Sequence, residues 1–359
     1  MRKRAREASE PRGFNNTAVR AVLRVVQFFL DLARWPYGKG VTCFTVLTDG
    51  GREALEAILD RIWWTIFLLD LDGSCWGVVR HPDEPCVKCQ LRKELARLGR
   101  RSYLVAFLTG RAVAQLRKFG MLLRRIVAFC QFGAEKWEKG KQQDLVLVPP
   151  GLDHAIAELR ARLALAGLAV SIEVKRHGVA GHWALGTSVT GIEQVMALFR
   201  QVADELGMAC HEGTGVVELT PKGLNKGVSS TAIIRQFVGD EVLADFVDTF
   251  TDEELVVYRQ LCAHLGTPKR KKVLRLQKLF RFVYVGDSAP DVPVGQLFRY
   301  LRDRGYHVLL VVVAGHQPLE ELADVVVGDS DGTLHVLRDV GIHARPWWRP
   351  GRSHSGKAA

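Results

Sequence analysis

The sequence predicts an α/β fold carrying an inserted α+β module, and three observations lead there. Apolar runs repeatedly end in a turn signal that carries chemistry: Trp63–Leu69 runs into Asp70-Leu71-Asp72-Gly73-Ser74, Ser102–Leu108 into Thr109-Gly110-Arg111, and Phe282–Val285 into Gly286-Asp287-Ser288. A short apolar run closed by such a signal is the pattern of a buried strand. Helical spacing alternates with these runs along most of the chain. Between residues 139 and 222 the texture changes, and the order becomes strand, helix, two strands, helix, strand, which suits a compact α+β unit.

The 359 residues suffice for two domains and a sizeable core. Hydrophobic and charged fractions of 47% and 25% are ordinary for a globular protein. No apolar stretch reaches the length of a membrane-spanning helix, and the basic start Met1–Arg6 is not followed by a secretory apolar region. The reading is a soluble, cytoplasmic protein with no membrane partner. The net charge of +11 is scattered over the first twelve residues, the last fifteen and a helix-like run from Lys269 to Arg281. It forms no stripe with interleaved aromatics, so a nucleic-acid partner is not expected, whereas a phosphorylated substrate suits a positive surface. Seven scattered cysteines exclude a secreted disulfide framework; Cys86 and Cys89 have half of a zinc-site spacing and are read as a local disulfide or plain thiols.

In chain order, residues 1–16 read as a disordered basic tail and Thr17–Trp35 as an amphipathic helix. A strand over Val41–Leu47 and a helix over Arg52–Ile62 precede the Asp70 strand. A proline-bearing loop (His81–Cys89), a basic helix (Leu91–Leu98), the Ser102–Leu108 strand, a helix from Ala112 to about Leu122 and a strand near Ile126–Phe129 follow. Lys139–Gln143 reads as a linker. The inserted module, 141–222, then has a strand at Asp144–Val148, a helix at Leu152–Ala166, a hairpin of Ala169–Lys175 and Gly181–Leu185, a helix at Gly191–Leu206 and a strand at Gly215–Leu219. The core therefore comprises 17–140 and 223–345. Its second part has helix 226–237, a helical insertion at about 238–280, the Phe282–Val285 strand, helix Leu297–Arg304, strands His307–Val313 and Ala323–Val327, and a last helix, Gly332–Val340. Residues 346–359 read as a flexible tail.

Ligands of open α/β sheets bind beyond the carboxyl ends of the strands, where all these turn signals fall. Alternate residues of a strand point to one side, so Asp70 and Asp72 can converge on one site. A carboxylate can attack phosphorus and form an acyl phosphate that water hydrolyses, the role read for Asp70. A second carboxyl can protonate the leaving group and then deprotonate water, the role read for Asp72. Thr109, through hydroxyl and backbone N–H, and Lys226 can stabilise the phosphoryl oxygens. Mg²⁺ held by Asp70, the Asp72 backbone carbonyl and Asp287 completes the set, with Gly286 and Asp291 supporting it.

These segments resemble the four motifs of the haloacid dehalogenase (HAD) superfamily of phosphatases. Finer features resemble its trehalose-6-phosphate phosphatase branch: Phe67–Ser74 with the Val78–Asp83 loop, Gly133-Ala134-Glu135, Val170–Lys175 with His182-Trp183, and Val217–Gly227. The resemblance spans roughly residues 60–340, interrupted at 238–280. It implies a Rossmann-like three-layer core with a mostly parallel sheet, an α+β cap of type C2 (C2B), Mg²⁺ dependence and a sugar phosphate as substrate. It further implies substrate contacts from Gly110, Arg111 and Glu135 in the core and from Glu173, Lys175 and Glu218 in the cap. Phe132, Ala184 and Thr220 depart from the branch at positions that read substrate, and Ser74 and Ser288 depart near the core motifs. The helix at 17–35 and the 238–280 insertion lie outside the family's minimal plan and suit oligomerisation or a protein partner.

Overall fold

The computed structural model describes residues 48–77, 87–183, 187–213, 215–266 and 277–344. The 17–35 helix, the 41–47 strand, the 78–83 segment, residues 81–86 of the His81–Cys89 loop with Cys86 among them, Ala184 and residues 269–276 of the basic run lie outside the described residues.

Helix α1 (Asp49–Asp60) is capped by Thr48, whose hydroxyl accepts from Gly51 N, and it buries Ala54, Leu55 and Ile58. Strand β1 (Thr65–Leu69) is buried at all five positions. The elements α2 (Cys89–Arg101), β2 (Leu104–Leu108), α3 (Val113–Lys118) and β3 (Ile126–Cys130) follow. Two further strands, β4 (Glu135–Glu138) and β5 (Lys141–Asp144), form a hairpin where the sequence suggested a linker. Lys139 and Gly140 both have positive φ (51° and 84°) and turn this hairpin. The polar β5 was unreadable because it is an edge strand with exposed side chains; the strand expected at Asp144–Val148 is therefore Lys141–Asp144 instead.

The chain then runs through α4 (Leu152–Leu165), β6 (Val170–Val174), β7 (Val179–Trp183), α5 (Val189–Leu206), β8 (Met208–Gly213) and β9 (Val216–Pro221). Strand β8 was not expected; its Cys-His-Glu-Gly sequence gives no apolar alternation. Helices α6 (Lys226–Val238), α7 (Asp240–Val247) and α8 (Asp252–Leu265) come next. They are followed by β10 (Arg281–Gly286), α9 (Val292–Asp303), β11 (His307–Val313), the short α10 (Gln317–Glu320), β12 (Val325–Val327) and α11 (Ser330–His343). Of the basic run read as helical, the described part is a short 3₁₀ turn (Gln277–Leu279) and Arg281, which opens β10.

Among the described residues these strands form two sheets. The eight-stranded sheet has the order β12-β11-β10-β1-β2-β3-β4-β5; its pairs are parallel from β12 to β3 and antiparallel from β3 to β5. Strands β1, β3 and β10 are buried throughout, as expected of a sheet covered by helices on both faces. The second sheet, β6-β7-β9-β8, is antiparallel and packs α4 and α5 around its own apolar cluster, which includes Leu159, Phe199 and Leu219. Thus an α+β module with its own core interrupts a larger α/β unit.

The helices of the insertion are part of the large core. Leu243 of α7 and Val257, Tyr258 and Leu261 of α8 lie in the same cluster as Ile66 and Phe282. Helix α8 also holds the crossing from β9 to α6. Asn225 Nδ2 donates to Glu254 Oε1 (2.7 Å), Lys222 pairs with Glu253 (2.7 Å), and a Cβ on Gly223 would come within 2.4 Å of the Glu253 backbone.

Candidate active site

Strands β1 and β10 are parallel neighbours in the middle of the large sheet, with Leu69 in register with Val285. Their carboxyl ends therefore deliver Asp70 and Asp287 side by side. The Asp70 backbone extends the pairing, its N–H donating to Val285 O at 3.0 Å. Gly73 then turns the chain with φ of 76°, and a Cβ there would come within 1.9 Å of Asp287 Oδ2. A Gly73→Ala variant is expected to lose about 1–3 kcal/mol from the left-handed backbone and to displace Asp287; denaturant unfolding measures the first. The Ser74 hydroxyl stands within hydrogen-bond reach of Asp70 Oδ2 (3.1 Å) and Asp287 Oδ1 (3.2 Å).

Lys226 arrives from the opposite direction. Asn225 caps α6, its side chain accepting from Val228 N at 2.9 Å, which fixes Lys226 as the first helical residue. The buried ammonium bridges Asp70 Oδ1 (2.7 Å) and Asp291 Oδ1 (2.6 Å). Asp291 is saturated: Tyr284 OH also donates to Oδ1 (2.5 Å), and the N–H groups of Asp287 and Ser288 donate to Oδ2 (2.9 and 3.2 Å). It is the framework on which Lys226 and the 286–288 turn are hung. Tyr284 escaped the sequence reading because a tyrosine inside a buried strand gives no signal of its partner. Gly286 allows the close approach, since a Cβ there would meet Asp291 Cγ at 2.8 Å.

Three carboxylates thus face one ammonium in a buried place. Burial raises the Asp70 carboxyl well above its ordinary range; Lys226 pulls it down, and Asp291 and Asp287 push it up again. Asp287 is raised for the same reasons, burial and then the charge of Asp291. Burial opposes the charge on Lys226, but Asp291 and Asp70 outweigh it and raise its pKa. Oxygen atoms of Asp70, Asp287 and Asp291 lie within 4.8 Å of one another. An all-carboxylate donor set with surplus negative charge fits a hard divalent cation.

Asp72 is placed beside this cluster and is held by other groups. Arg111 grips its carboxylate with Nε (2.7 Å) and Nη2 (2.6 Å), and Trp76 Nε1 donates to it at 2.9 Å. The guanidinium lies against the rings of Trp76 (5.8 Å) and Phe119 (5.3 Å). Thr109 is buried, and its backbone N–H, read as a phosphate donor, is bonded to Phe129 O at 3.1 Å. Its hydroxyl oxygen accepts from Arg111 N (3.2 Å) and keeps its proton to donate.

The second sheet reaches the same loop. Lys175 Nζ donates to Gly110 O (2.9 Å) and to Glu218 Oε1 (2.7 Å). Glu173 pairs with His182 at 2.8 Å; burial pushes its carboxyl up, but His182, Lys175 and Arg111 hold it below its usual range. Glu135 lies elsewhere. It is buried, accepting from Val113 N (3.1 Å) at the start of α3 and from Gln142 (3.3 Å). With Asp144 and His177 it makes a second group of ligand-type atoms, but Arg176 already grips Asp144 with Nε and Nη2. Two of the departing positions meet at one histidine: the Phe132 ring packs on His211 (5.3 Å), and Thr220 Oγ1 bonds His211 Nε2 (2.9 Å).

No protein-family model matches the chain. Among solved structures it is similar to a trehalose-6-phosphate phosphatase related protein, at 17% identity over 77% of this chain and 96% of that one, with a TM-score of 0.52. It is also similar to the C-terminal domain of the Candida albicans trehalose-6-phosphate phosphatase, at 16% identity over 84% and 99% of the two chains, TM-score 0.59. A third likeness is to the C-terminal domain of a Candida albicans trehalose synthase regulatory protein, at 14% identity over 81% and 99%, TM-score 0.55. At these identities the likeness is one of architecture, and it is the architecture the four motifs led to: the chain has the fold of the trehalose-6-phosphate phosphatases, a mostly parallel α/β core with an antiparallel-sheet module set into it.

Proposed function

We propose that the chain is a Mg²⁺-dependent phosphomonoester hydrolase of the HAD superfamily acting on a phosphorylated sugar, with trehalose-6-phosphate the leading substrate. The observation that carries the reading is the buried Lys226 bridge between Asp70 and Asp291, with Asp287 alongside at the carboxyl ends of two adjacent strands. Asp70 Oδ attacks phosphorus and takes the phosphoryl group as an acyl phosphate; water then cleaves it. Lys226 and the Thr109 hydroxyl lie where charge on the phosphoryl oxygens would be met. Asp72 gives a proton to the leaving alkoxide and later takes one from water, after exchanging its Arg111 contact for the substrate. Asp70 and Asp287, with the Asp72 carbonyl, would hold Mg²⁺, which when bound neutralises the phosphate and offsets the crowded carboxylates. Lys175, Glu218, Glu173 and His182 at the Gly110 loop supply the donors and acceptors that a polyol needs.

Other sugar phosphates fit the same chemistry, including sucrose-phosphate and mannosyl- or glucosyl-phosphoglycerate, because Phe132 and Thr220 alter the cap seam. The likeness to a regulatory protein's domain, together with Asp72 held by Arg111, supports a second reading as a non-catalytic subunit of a sugar-synthase complex. Phosphate release from a panel of sugar phosphates with and without Mg²⁺ separates the two. The enzyme reading expects turnover of at least one member that chelation abolishes. No release from any member favours the subunit.

A further inference from the structure

The turn after β3 has a backbone that side chains rarely adopt. Gln131, Phe132 and Gly133 have φ of 49°, 57° and 105° in succession, and the first two are not glycine. Such conformations persist where the surroundings over-determine them, and they cluster at ligand clamps and switch regions. Here the surroundings are the candidate active site itself. Gln131 N donates to Arg111 O (3.0 Å) and Phe132 N to Thr109 O (2.9 Å), tying the turn to the loop that carries Thr109. From α6, Ser229 donates its hydroxyl to Phe132 O (2.5 Å), and a Cβ on Gly133 would come within 2.3 Å of Ser229 Oγ.

The other side of the turn receives the second sheet. Gln131 is 2% exposed, and its Oε1 accepts the backbone N–H of His177 at 3.0 Å. His177 lies in the β6–β7 turn, two residues after Lys175, whose ammonium reaches Gly110 O. A glycine at 131 would carry no backbone strain. What glutamine supplies there that glycine cannot is the side-chain amide that receives His177.

We propose that Gln131 is a positioning residue: it pins the Lys175–Gly178 turn of the inserted module onto the 109–111 loop, and so sets Lys175 and Glu218 where the sugar is read. The role in substrate reading rests on the proposed sugar-phosphatase function; the pin itself does not. The test uses the full chain with Gln131→Gly, which removes the amide and the strain together, and Gln131→Glu, which keeps an acceptor of the same reach. Amide hydrogen exchange over residues 175–178 is expected to quicken about tenfold in Gln131→Gly, the worth of one hydrogen bond, and to stay near the parent rate in Gln131→Glu. The thermal midpoint of Gln131→Gly is expected not to fall. With a sugar phosphate, KM rises about tenfold in Gln131→Gly, while turnover of acetyl phosphate, which has no sugar to read, is retained. Unchanged exchange at 175–178 in Gln131→Gly overturns the pin, as does an equal loss with both substrates. If the parent chain cleaves neither substrate, the phosphatase reading has failed, and the exchange rates alone decide whether the pin exists.

Discussion

Asp70→Asn is expected to lower the rate of phosphate release about 10⁴-fold or more and to leave the chain folded and no less stable. Asparagine keeps the shape, the backbone bond to Val285 and an oxygen for Ser74, but cannot form an acyl phosphate. The stability side follows from the crowding of carboxylates. Burial and the neighbouring Asp291 and Asp287 outweigh Lys226 and raise the Asp70 pKa above its ordinary 3.8. A group raised on folding stabilises the folded state below its unfolded pKa, and that contribution is lost as pH rises through the folded value. At pH 7, well above the unfolded value, that contribution is missing and burying this acid is a cost that the amide removes. The variant should gain in unfolding midpoint over the parent at pH 7, and the gain should fade as pH approaches about 4. An undiminished rate of phosphate release would sink the mechanism, and a lower midpoint at pH 7 would contradict the electrostatics.

Lys226→Met cuts the same ion pair from the other side, with the opposite expected result for stability. The ammonium is buried among Asp70, Asp287 and Asp291, and removing it leaves all three without their cation. Breaking a buried pair in this way costs on the order of 3–5 kcal/mol, a large part of the roughly 5–15 kcal/mol that holds a domain folded. Denaturant unfolding at pH 7 should show that loss, and activity should fall with it. Adding Asp70→Asn to Lys226→Met should restore part of the stability, since one of the stranded charges is then gone. Strict additivity of the two changes would show that they do not share a network.

The large sheet was legible because buried parallel strands write continuous apolar runs that end in turn residues, as Phe67–Leu69 and Phe282–Val285 do. Strands β5 and β8 were not, because β5 is an exposed edge of polar residues and β8 lacks alternation. At the site, residue types and order brought Asp70, Lys226, Asp287 and Asp291 together on paper, and the structure places them in one buried cluster. Pairings escaped the sequence: that Arg111 and Trp76 grip Asp72, that Tyr284 holds Asp291, and that the Thr109 N–H is spent on the sheet. Arg111 with Asp72 and Thr109 with Phe129 join segments far apart in sequence, and the nearer pairs, Trp76 with Asp72 and Tyr284 with Asp291, form only once the turns between them are folded; a single sequence carries no record of either. Glu135 entered as a substrate contact only through the Gly133-Ala134-Glu135 resemblance, and in the structure its carboxylate accepts from Val113 N at the start of α3.

The brace that α8 puts on the β9–α6 crossing bears on how the inserted module can move. Glu253 and Glu254 clasp Lys222, Gly223 and Asn225, so any swing of the second sheet must be absorbed in very few peptide units on this side. The last of those units is the cap of the helix that begins with Lys226. A swing of the module and a shift of the central ammonium are thus geared through one short stretch of chain. A change on the outer helix, remote from every carboxylate of the site, would be felt there as a change in gearing.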